Sequence, residues 1–153
     1  MEQQDILSRT LPELQAAVQE LGEPKFRAKQ IFNWLHQKRV TDFSEMTTLS
    51  LPFRERLASD FCINRLKIAK RLASSVDDTV KYLYELPDGN YVETVCMQYH
   101  HGTSLCISTQ VGCRMGCRFC ASTIGGLERN LSPSEMLGQI YQIQKITGER
   151  VSN

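Results

Sequence analysis

The sequence predicts a mixed fold, α+β / α/β, in which a small helical domain precedes a β-hairpin and the first βα unit of a larger, truncated sheet or barrel. Apolar residues recur at helical spacing as far as about residue 61, and short runs rich in β-branched and aromatic residues follow. After a loop with three cysteines, helical spacing returns near the end of the chain. Helices first and strands later indicate at least two structural regions.

Composition limits the class of protein. The chain has 153 residues, 41% of them hydrophobic, which is enough for one or two small cores. The first thirty residues contain several acids and no long apolar run, so we expect neither a signal peptide nor a membrane span, and a cytoplasmic location. Six cysteines in that reducing compartment favour metal binding or thiol chemistry over a framework of disulfides.

Two of the three helices predicted in the first region have clear start signals. Thr10 and Glu13 form a capping box, after which apolar residues recur at helical spacing until Gly22 ends the helix. The third helix is predicted over Ser50–Phe61, with Ser50 as N-cap and a proline in the first turn.

The second helix is predicted over the stretch FRAKQIFNWLHQK. Its pattern directs Phe26, Ile31, Trp34 and Leu35 toward a core and leaves the lysines on the solvent side. We therefore expect Trp34 to be a core residue and not a platform for a nucleobase.

Basic residues are concentrated in one segment. Residues 23–71 contain eleven Lys and Arg against five Asp and Glu, or +6, whereas the whole chain carries +1. A positive surface suits a polyanion such as RNA, because neutralised phosphates release counterions. A solvated helical surface with no partner is the alternative that charge alone leaves open.

The later region is predicted to contain strands. VKYLYEL and YVETVCMQY flank the turn sequence PDGN and indicate a hairpin. TSLCISTQ alternates apolar and polar residues as a further strand that leads directly into the cysteine loop. Ser132 and Glu135 then form a second capping box, and a helix follows as far as Gly148. A strand, a loop and a helix open a parallel sheet or barrel, so we expect the natural domain to continue beyond Asn153.

Cys113, Cys117 and Cys120 form a compact CxxxCxxC run without a second pair nearby. A structural zinc site takes four ligands, so zinc would need Cys106 or the pair His100 and His101 as well. A four-iron four-sulfur (4Fe-4S) cluster held by three thiolates leaves one iron open to a substrate or cofactor. The third possibility, three unligated thiols, gains little from packing on an exposed loop.

This run, with Phe119 directly before the last cysteine, resembles the signature of radical S-adenosylmethionine enzymes. In those enzymes the open iron binds the amino and carboxylate groups of S-adenosylmethionine. The resemblance implies that Cys113, Cys117 and Cys120 are the metal ligands and the cofactor-binding residues of a 4Fe-4S cluster.

The wider stretch from ETVCMQYHHG to EMLGQI is similar to the RlmN family of dual-specificity RNA methyltransferases, as is KFRAKQIFNWLHQKRVTDFSEMTTLS upstream. The resemblance implies methylation of C2 of an adenosine in 23S rRNA and of certain tRNAs. It also implies a basic RNA-binding accessory domain (residues 1–62), a hairpin connector (63–102) and the start of a radical SAM (βα) partial barrel (103–153). We expect a monomer without membrane association.

The resemblance assigns two further residues. Glu93 matches the proton acceptor, and Cys106 matches the cysteine that forms a transient disulfide; from the residues alone they read as a solvent-facing carboxylate and a small buried hydrophobe. The implied route places a methyl group on another cysteine, activates it with a radical for addition to the adenine ring, removes the C2 proton and releases the product through the disulfide. Cys62 and Cys96 match no such position and are interpreted as structural.

The methyl-carrying cysteine and most cofactor-binding residues of the family have no counterpart in these 153 residues, so we expect the chain alone to be inactive. Two alternatives remain open. One is the related enzyme type that methylates C8 of the same ribosomal adenosine and confers antibiotic resistance, although TIGGLERN is nearer to the C2 type. The other is a zinc-stapled RNA-binding module without catalysis.

Overall fold

The structure, a computed structural model, describes residues 3–153 and contains two compact units. The first unit ends at Asn64 and the second spans Arg65–Asn153. The first is mainly helical and the second is built on a sheet, which confirms the predicted mixed fold class. Among the described residues, no helix is long and apolar enough to cross a membrane.

Within the described residues, the first unit contains three α-helices, one short strand pair and two short 3-10 helices. In chain order the strands and α-helices are β1 (Gln4–Asp5), α1 (Leu11–Glu20), α2 (Phe26–His36), α3 (Leu51–Asp60) and β2 (Phe61–Cys62). The capping box at the start of α1 is present, because the Glu13 carboxylate accepts hydrogen bonds from the backbone N–H and the hydroxyl of Thr10 at 2.7 and 2.6 Å. The strands β1 and β2 pair in parallel and bring the two ends of the unit together.

The predicted orientation of α2 is wrong for two of its four apolar residues. Its buried residues are Ala28, Ile31 and Leu35, which lie on one face of the helix. Phe26 lies about half a turn away from Leu35 and is 56% exposed, with the Arg27 guanidinium over its ring. Trp34 lies beside the buried stripe and is half-buried, so it is not a core residue.

The second unit contains six strands and one long helix. They are β3 (Lys67–Ala73), β4 (Val80–Glu85), β5 (Tyr91–Tyr99), β6 (Gly102–Cys106), β7 (Gln110–Gly112), β8 (Leu127–Asn130) and α4 (Pro133–Thr147). The first four form an antiparallel sheet in the order β3-β4-β5-β6, and β7 pairs with β8 in a separate two-stranded ladder. The hairpin expected around PDGN is the β4–β5 pair.

Three features of the strands differ from the prediction. The sequence analysis did not place strands at β3, where every residue is exposed, or at β8. The strand expected over TSLCISTQ ends at Cys106. The chain leaves the sheet there because the backbone N–H and C=O of Ser108 bond the side chain of Gln139 and not a neighbouring strand.

One face of the sheet packs on α4. Tyr82, Tyr84, Val92 and Cys96 alternate with outward residues and form a core with Ile143. The buried positions of α4 recur every four residues but are not all apolar, because Glu135 and Gln139 are buried beside Ile143. The apolar residues Leu137 and Ile140 are only half-buried.

After α4 the chain returns to the sheet edge beside β6. Val151 forms a parallel bridge with Thr103, Ser152 N–H donates to the Thr103 carbonyl at 2.8 Å, and Leu105 N–H donates to the Asn153 carbonyl at 2.8 Å. A strand, a crossover helix and a second parallel segment are the elements of a βαβ unit. This is the βα unit that the sequence predicted.

The carboxamide of Gln139 joins α4 to the sheet and to the segment after β6. Its oxygen accepts hydrogen bonds from the Thr94 hydroxyl at 2.7 Å and from Ser108 N–H at 2.9 Å, and its Nε2 donates to the Ser108 carbonyl at 2.9 Å. Gln139 and Thr94 are fully buried, so water cannot replace these partners.

We expect Gln139→Leu to lower the free energy of unfolding of the second unit by about 2 kcal/mol or more, because it leaves buried polar groups without partners. It should also speed hydrogen exchange at the Ser108 amide. Urea unfolding followed by circular dichroism, with amide exchange by NMR, measures both. Gln144→Leu on the same helix is the control, and equal losses in the two variants would contradict the prediction.

Candidate functional site

The three-cysteine loop is closed at its base by β7 and β8. Val111 pairs with Arg129 and Gly112 with Leu127 in this ladder, and Cys113 N–H donates to the Gly126 carbonyl at 2.9 Å. Gly112 has a φ of +71°, and a Cβ there would lie 2.0 Å from the carbonyl oxygen of Gly126. A glycine is therefore required where the two sides of the loop meet.

Inside the loop, Thr123 holds the turn that carries the last two cysteines. Its hydroxyl lies within hydrogen-bond distance of the carbonyl oxygens of Cys117 and Cys120, at 3.2 and 2.9 Å. Cys120 N–H donates to the Cys117 carbonyl at 3.1 Å. The backbone of the CxxC segment is thus fixed by local hydrogen bonds, while its thiols make none of them.

The donor set of the loop fits an iron–sulfur cluster. Cys113, Cys117 and Cys120 are all half-buried free thiols. In a cluster each thiolate binds a different iron, so its ligands need not converge on one point as the ligands of a single ion do. Among residues 3–153, no three His, Cys, Asp or Glu side chains converge in a way that would hold one metal ion.

Arg129 connects the end of the cysteine loop to α4 and to the β4–β5 turn. Its guanidinium makes two hydrogen bonds of 2.8 Å to the Glu135 carboxylate, and its Nε donates to Asp88 at 2.7 Å. The Glu135 carboxylate also accepts from Ser132 N–H at 2.8 Å, as the predicted capping box requires. A bidentate pair of this kind fixes geometry as well as charge.

The electrostatics of this network favour the ionised carboxylates. Burial raises the pKa of Glu135, but hydrogen bonds from Arg129 and Ser132 outweigh burial, so its pKa lies below the ordinary value. The pKa of Asp88 is likewise lowered, because hydrogen bonds from Asn90 and Arg129 outweigh its desolvation. Hydrogen bonds to Glu135 and Asp88 in turn raise the pKa of Arg129. The two carboxylates and the guanidinium are therefore all charged at neutral pH.

Glu93 and Cys106 lie on the face of the sheet opposite α4. Cys106 is directly paired with Val95, and Glu93 is two residues before Val95 on β5. Directly paired residues and residues two apart share a face, so Glu93 and Cys106 are diagonal neighbours, with Cα atoms roughly 7 to 8 Å apart. Both side chains are exposed, which corrects the reading of Cys106 as a buried hydrophobe.

Lys81 is a member of this face that the sequence analysis missed. It pairs with Val95 from β4, and its ammonium nitrogen lies 2.9 Å from a carboxylate oxygen of Glu93. The hydroxyl of Ser108 donates to the Glu93 carbonyl at 2.7 Å and so holds the segment that leads to the cysteine loop against β5. The strand alternation in VKYLYEL carries this signal, because it puts Lys81 on the face opposite Tyr82.

The remaining cysteines and histidines lie elsewhere. Cys96 is buried on the α4 side of β5, where burial raises the pKa of its thiol, and Cys62 is half-buried beside Gln3 and Asn64. His100 and His101 lie in the β5–β6 turn, at the opposite end of β6 from Cys106. The strand rise of about 3.3 Å per residue separates them from the cysteine end of β6, so the structure does not bring the histidines to the loop.

Known proteins resemble this chain over almost its whole length. The family model described as the ribosomal RNA large subunit methyltransferase N-terminal domain matches residues 4–63. The probable dual-specificity RNA methyltransferase RlmN of Lachnoclostridium phytofermentans is 60% identical over 97% of this chain and 42% of that protein. The protein of the same description from Lachnospira eligens is 55% identical over 97% of this chain and 43% of its own length.

A solved structure is also similar. The crystal structure of a radical SAM methyltransferase from Sphaerobacter thermophilus matches with a TM-score of 0.87 and 34% identity, over 98% of this chain and 45% of that one. The chain spans less than half the length of each of these relatives.

We expect Glu135→Gln to remove an acid-sensitive part of the stability. Because the folded pKa of Glu135 is lowered, its contribution is present above its unfolded pKa of about 4.3 and is lost as pH falls through the folded value. At pH 7 the variant should lose about 2 kcal/mol, and the difference should shrink toward about pH 3. Urea unfolding across this pH range measures it, with the exposed Glu128→Gln as control; a loss independent of pH would contradict it.

Proposed function

Because this chain belongs to the RlmN family of dual-specificity RNA methyltransferases, we propose that it is the amino-terminal part of a radical S-adenosylmethionine enzyme. That enzyme methylates C2 of adenosine in 23S rRNA and in tRNA. It acts in the cytoplasm and as a monomer. The observation that carries the proposal is the shared sheet face of Glu93 and Cys106, on strands that lead into a loop with three free thiols.

Cys113, Cys117 and Cys120 would hold a 4Fe-4S cluster as thiolates, and the cluster would bind S-adenosylmethionine. When bound, the cluster and cofactor would supply radical chemistry at a carbon whose hydrogen is not acidic and which is not itself nucleophilic. The loop contributes by holding its ligands on a fixed backbone, closed at Gly112 and anchored by Arg129 to α4.

Glu93 accepts the proton that leaves C2. An exposed carboxylate on an open sheet face can reach a substrate, which a carboxylate on the α4 side could not. Lys81 acts as a positioning residue, because its ammonium group 2.9 Å away orients the carboxylate. Both side chains are partly exposed, so this pair contributes to geometry more than to stability.

Cys106 forms the transient disulfide that releases the product. Its exposed thiol, as the thiolate, attacks the sulfur of the methyl-carrying cysteine, which lies outside these 153 residues. The bond from that sulfur to the product carbon breaks, and its electron pair stays on that carbon, which takes up a proton and completes the methyl group while the two sulfurs are oxidised to the disulfide. Cys96 is unsuited to this step, since it is buried and its thiol has a raised pKa.

The domain assignment follows the same proposal. Residues 1–62 form the accessory domain that contacts RNA, residues 63–102 connect it, and residues 103–153 begin the partial barrel. Seven of the eleven basic residues of segment 23–71 lie in the first of these and four lie in the connector, so the RNA-binding role of the first rests on its local cations and not on its net charge. The parallel return of Val151 beside Thr103 supports the third.

The first test is anaerobic reconstitution of this chain with iron and sulfide, followed by electron paramagnetic resonance of the reduced protein. We expect a four-iron signal in the wild type and its loss in Cys113→Ala, Cys117→Ala and Cys120→Ala, because each variant lacks one ligand. Cys62→Ala is the matched control and should retain the signal. A colourless protein that binds zinc instead would favour the zinc-stapled RNA-binding module.

A second test concerns catalysis in the complete enzyme that carries these residues. We expect Glu93→Gln and Cys106→Ala each to lower methylation at least 100-fold, because each removes a group that takes part in a chemical step. Cys62→Ala should leave the rate unchanged. Mapping the methyl group by mass spectrometry decides between C2 and C8, and product at C8 would overturn the assignment to C2.

A further inference from the structure

A surface pocket lies beside α2, on the side of the helix away from its buried stripe. It has a volume of about 350 Å³, in the range of sites that hold small ligands. Its lining residues are Lys29, Gln30, Asn33, Trp34, Lys38 and Thr48. Two cations, two carboxamides and one aromatic ring therefore meet in one concave surface.

The aromatic ring in this pocket is held in a fixed orientation. The indole N–H of Trp34 donates a hydrogen bond of 2.8 Å to the Thr48 hydroxyl. Arg27 supports the same wall, because its guanidinium donates to the Gln30 carboxamide oxygen at 2.9 Å and to the Thr48 carbonyl at 3.3 Å. A ring that is already oriented loses little conformational entropy when a ligand stacks on it.

The charge of the pocket selects an anionic ligand. The ammonium nitrogen of Lys38 lies 3.5 Å from the centroid of the Trp34 ring, and Lys29 lines the same cavity. The Lys38 contact is a cation–π interaction at an exposed site, where such contacts are weak. An incoming phosphate can therefore draw Lys38 away and leave the ring face for a planar group.

We propose that this pocket binds an unpaired nucleotide of the RNA substrate, with its base on Trp34 and its phosphates at Lys29 and Lys38. The inference rests on the proposed RNA methyltransferase function and adds a binding site to it. An aromatic platform beside cations is the arrangement that binds single-stranded nucleic acid. A duplex presents no free base face, so the ligand is a loop, bulge or single strand. The carboxamides of Gln30 and Asn33 can bond base edges.

The chain offers a direct probe, since Trp34 is its one tryptophan. We expect a six-nucleotide single-stranded RNA to quench the Trp34 fluorescence saturably. A blunt-ended RNA duplex, which has no unpaired base, should leave the emission unchanged at the same salt. Adenosine monophosphate, the free form of the same chemistry, should bind at least tenfold more weakly than the oligonucleotide.

Variants test the roles of the side chains through the fluorescence anisotropy of a labelled oligonucleotide. Trp34→Leu should weaken binding on the order of tenfold, the loss expected for one stacked base. Lys29→Gln with Lys38→Gln should reduce the slope of log affinity against log salt by about 1.4, or about 0.7 for each phosphate contact. Lys145→Gln with Arg150→Gln removes two exposed cations of the second unit and should leave the slope unchanged.

Three results would overturn the proposal that this pocket binds an unpaired nucleotide. One is that the oligonucleotide binds without changing the Trp34 emission and that the two double variants change the salt slope equally. The chain would then bind RNA, but at a surface other than this pocket. Another is adenosine monophosphate that binds as tightly as the oligonucleotide, which would indicate a mononucleotide site. The third is no binding of RNA in either measurement. The cluster and methylation experiments do not involve this pocket, so they test the proposed function separately.

Discussion

The arrangement of the second unit depends on a buried carboxamide. Gln139 projects from α4 and replaces the hydrogen bonds that Ser108 would otherwise make to a neighbouring strand, while it also bonds Thr94 on β5. The ladder of β6 therefore ends at Cys106, and the chain turns away toward the cysteine loop. An apolar residue at position 139 would fill the space but leave three polar groups without partners.

The two faces of β5 separate the packed core from the candidate site. Val92, Thr94 and Cys96 point toward α4, and Glu93 points to the open side, where Lys81 and Cys106 join it. A thiol on the packed side is protected by burial, whereas a thiol on the open side is free to react. A shift of the register by one residue would exchange these roles, so the hydrophobic core of the sheet also fixes the candidate site.

The cysteine loop is fixed from both of its ends. Gly112 allows the close approach that shuts its base, and Arg129 ties its last strand to the buried Glu135 and to the β4–β5 turn. Charged hydrogen bonds thereby connect the loop to the core of the unit. The first unit contributes a different surface, where basic residues and the oriented ring of Trp34 surround a pocket.

The sequence by itself determined the order of the four α-helices, the β4–β5 hairpin, the capping boxes at Thr10 and Ser132, and the resemblance to the RlmN family, because these depend on local patterns and on the CxxxCxxC spacing. Only the tertiary structure decided which side of α2 faces the core and so exposed Phe26 and Trp34. It also revealed the contacts of Gln139, Lys81 and Arg129. Lys81 is 12 residues from its partner Glu93, Arg129 is 41 residues from Asp88, and Gln139 is 45 residues from Thr94. No local spacing in the sequence indicates contacts between residues so far apart.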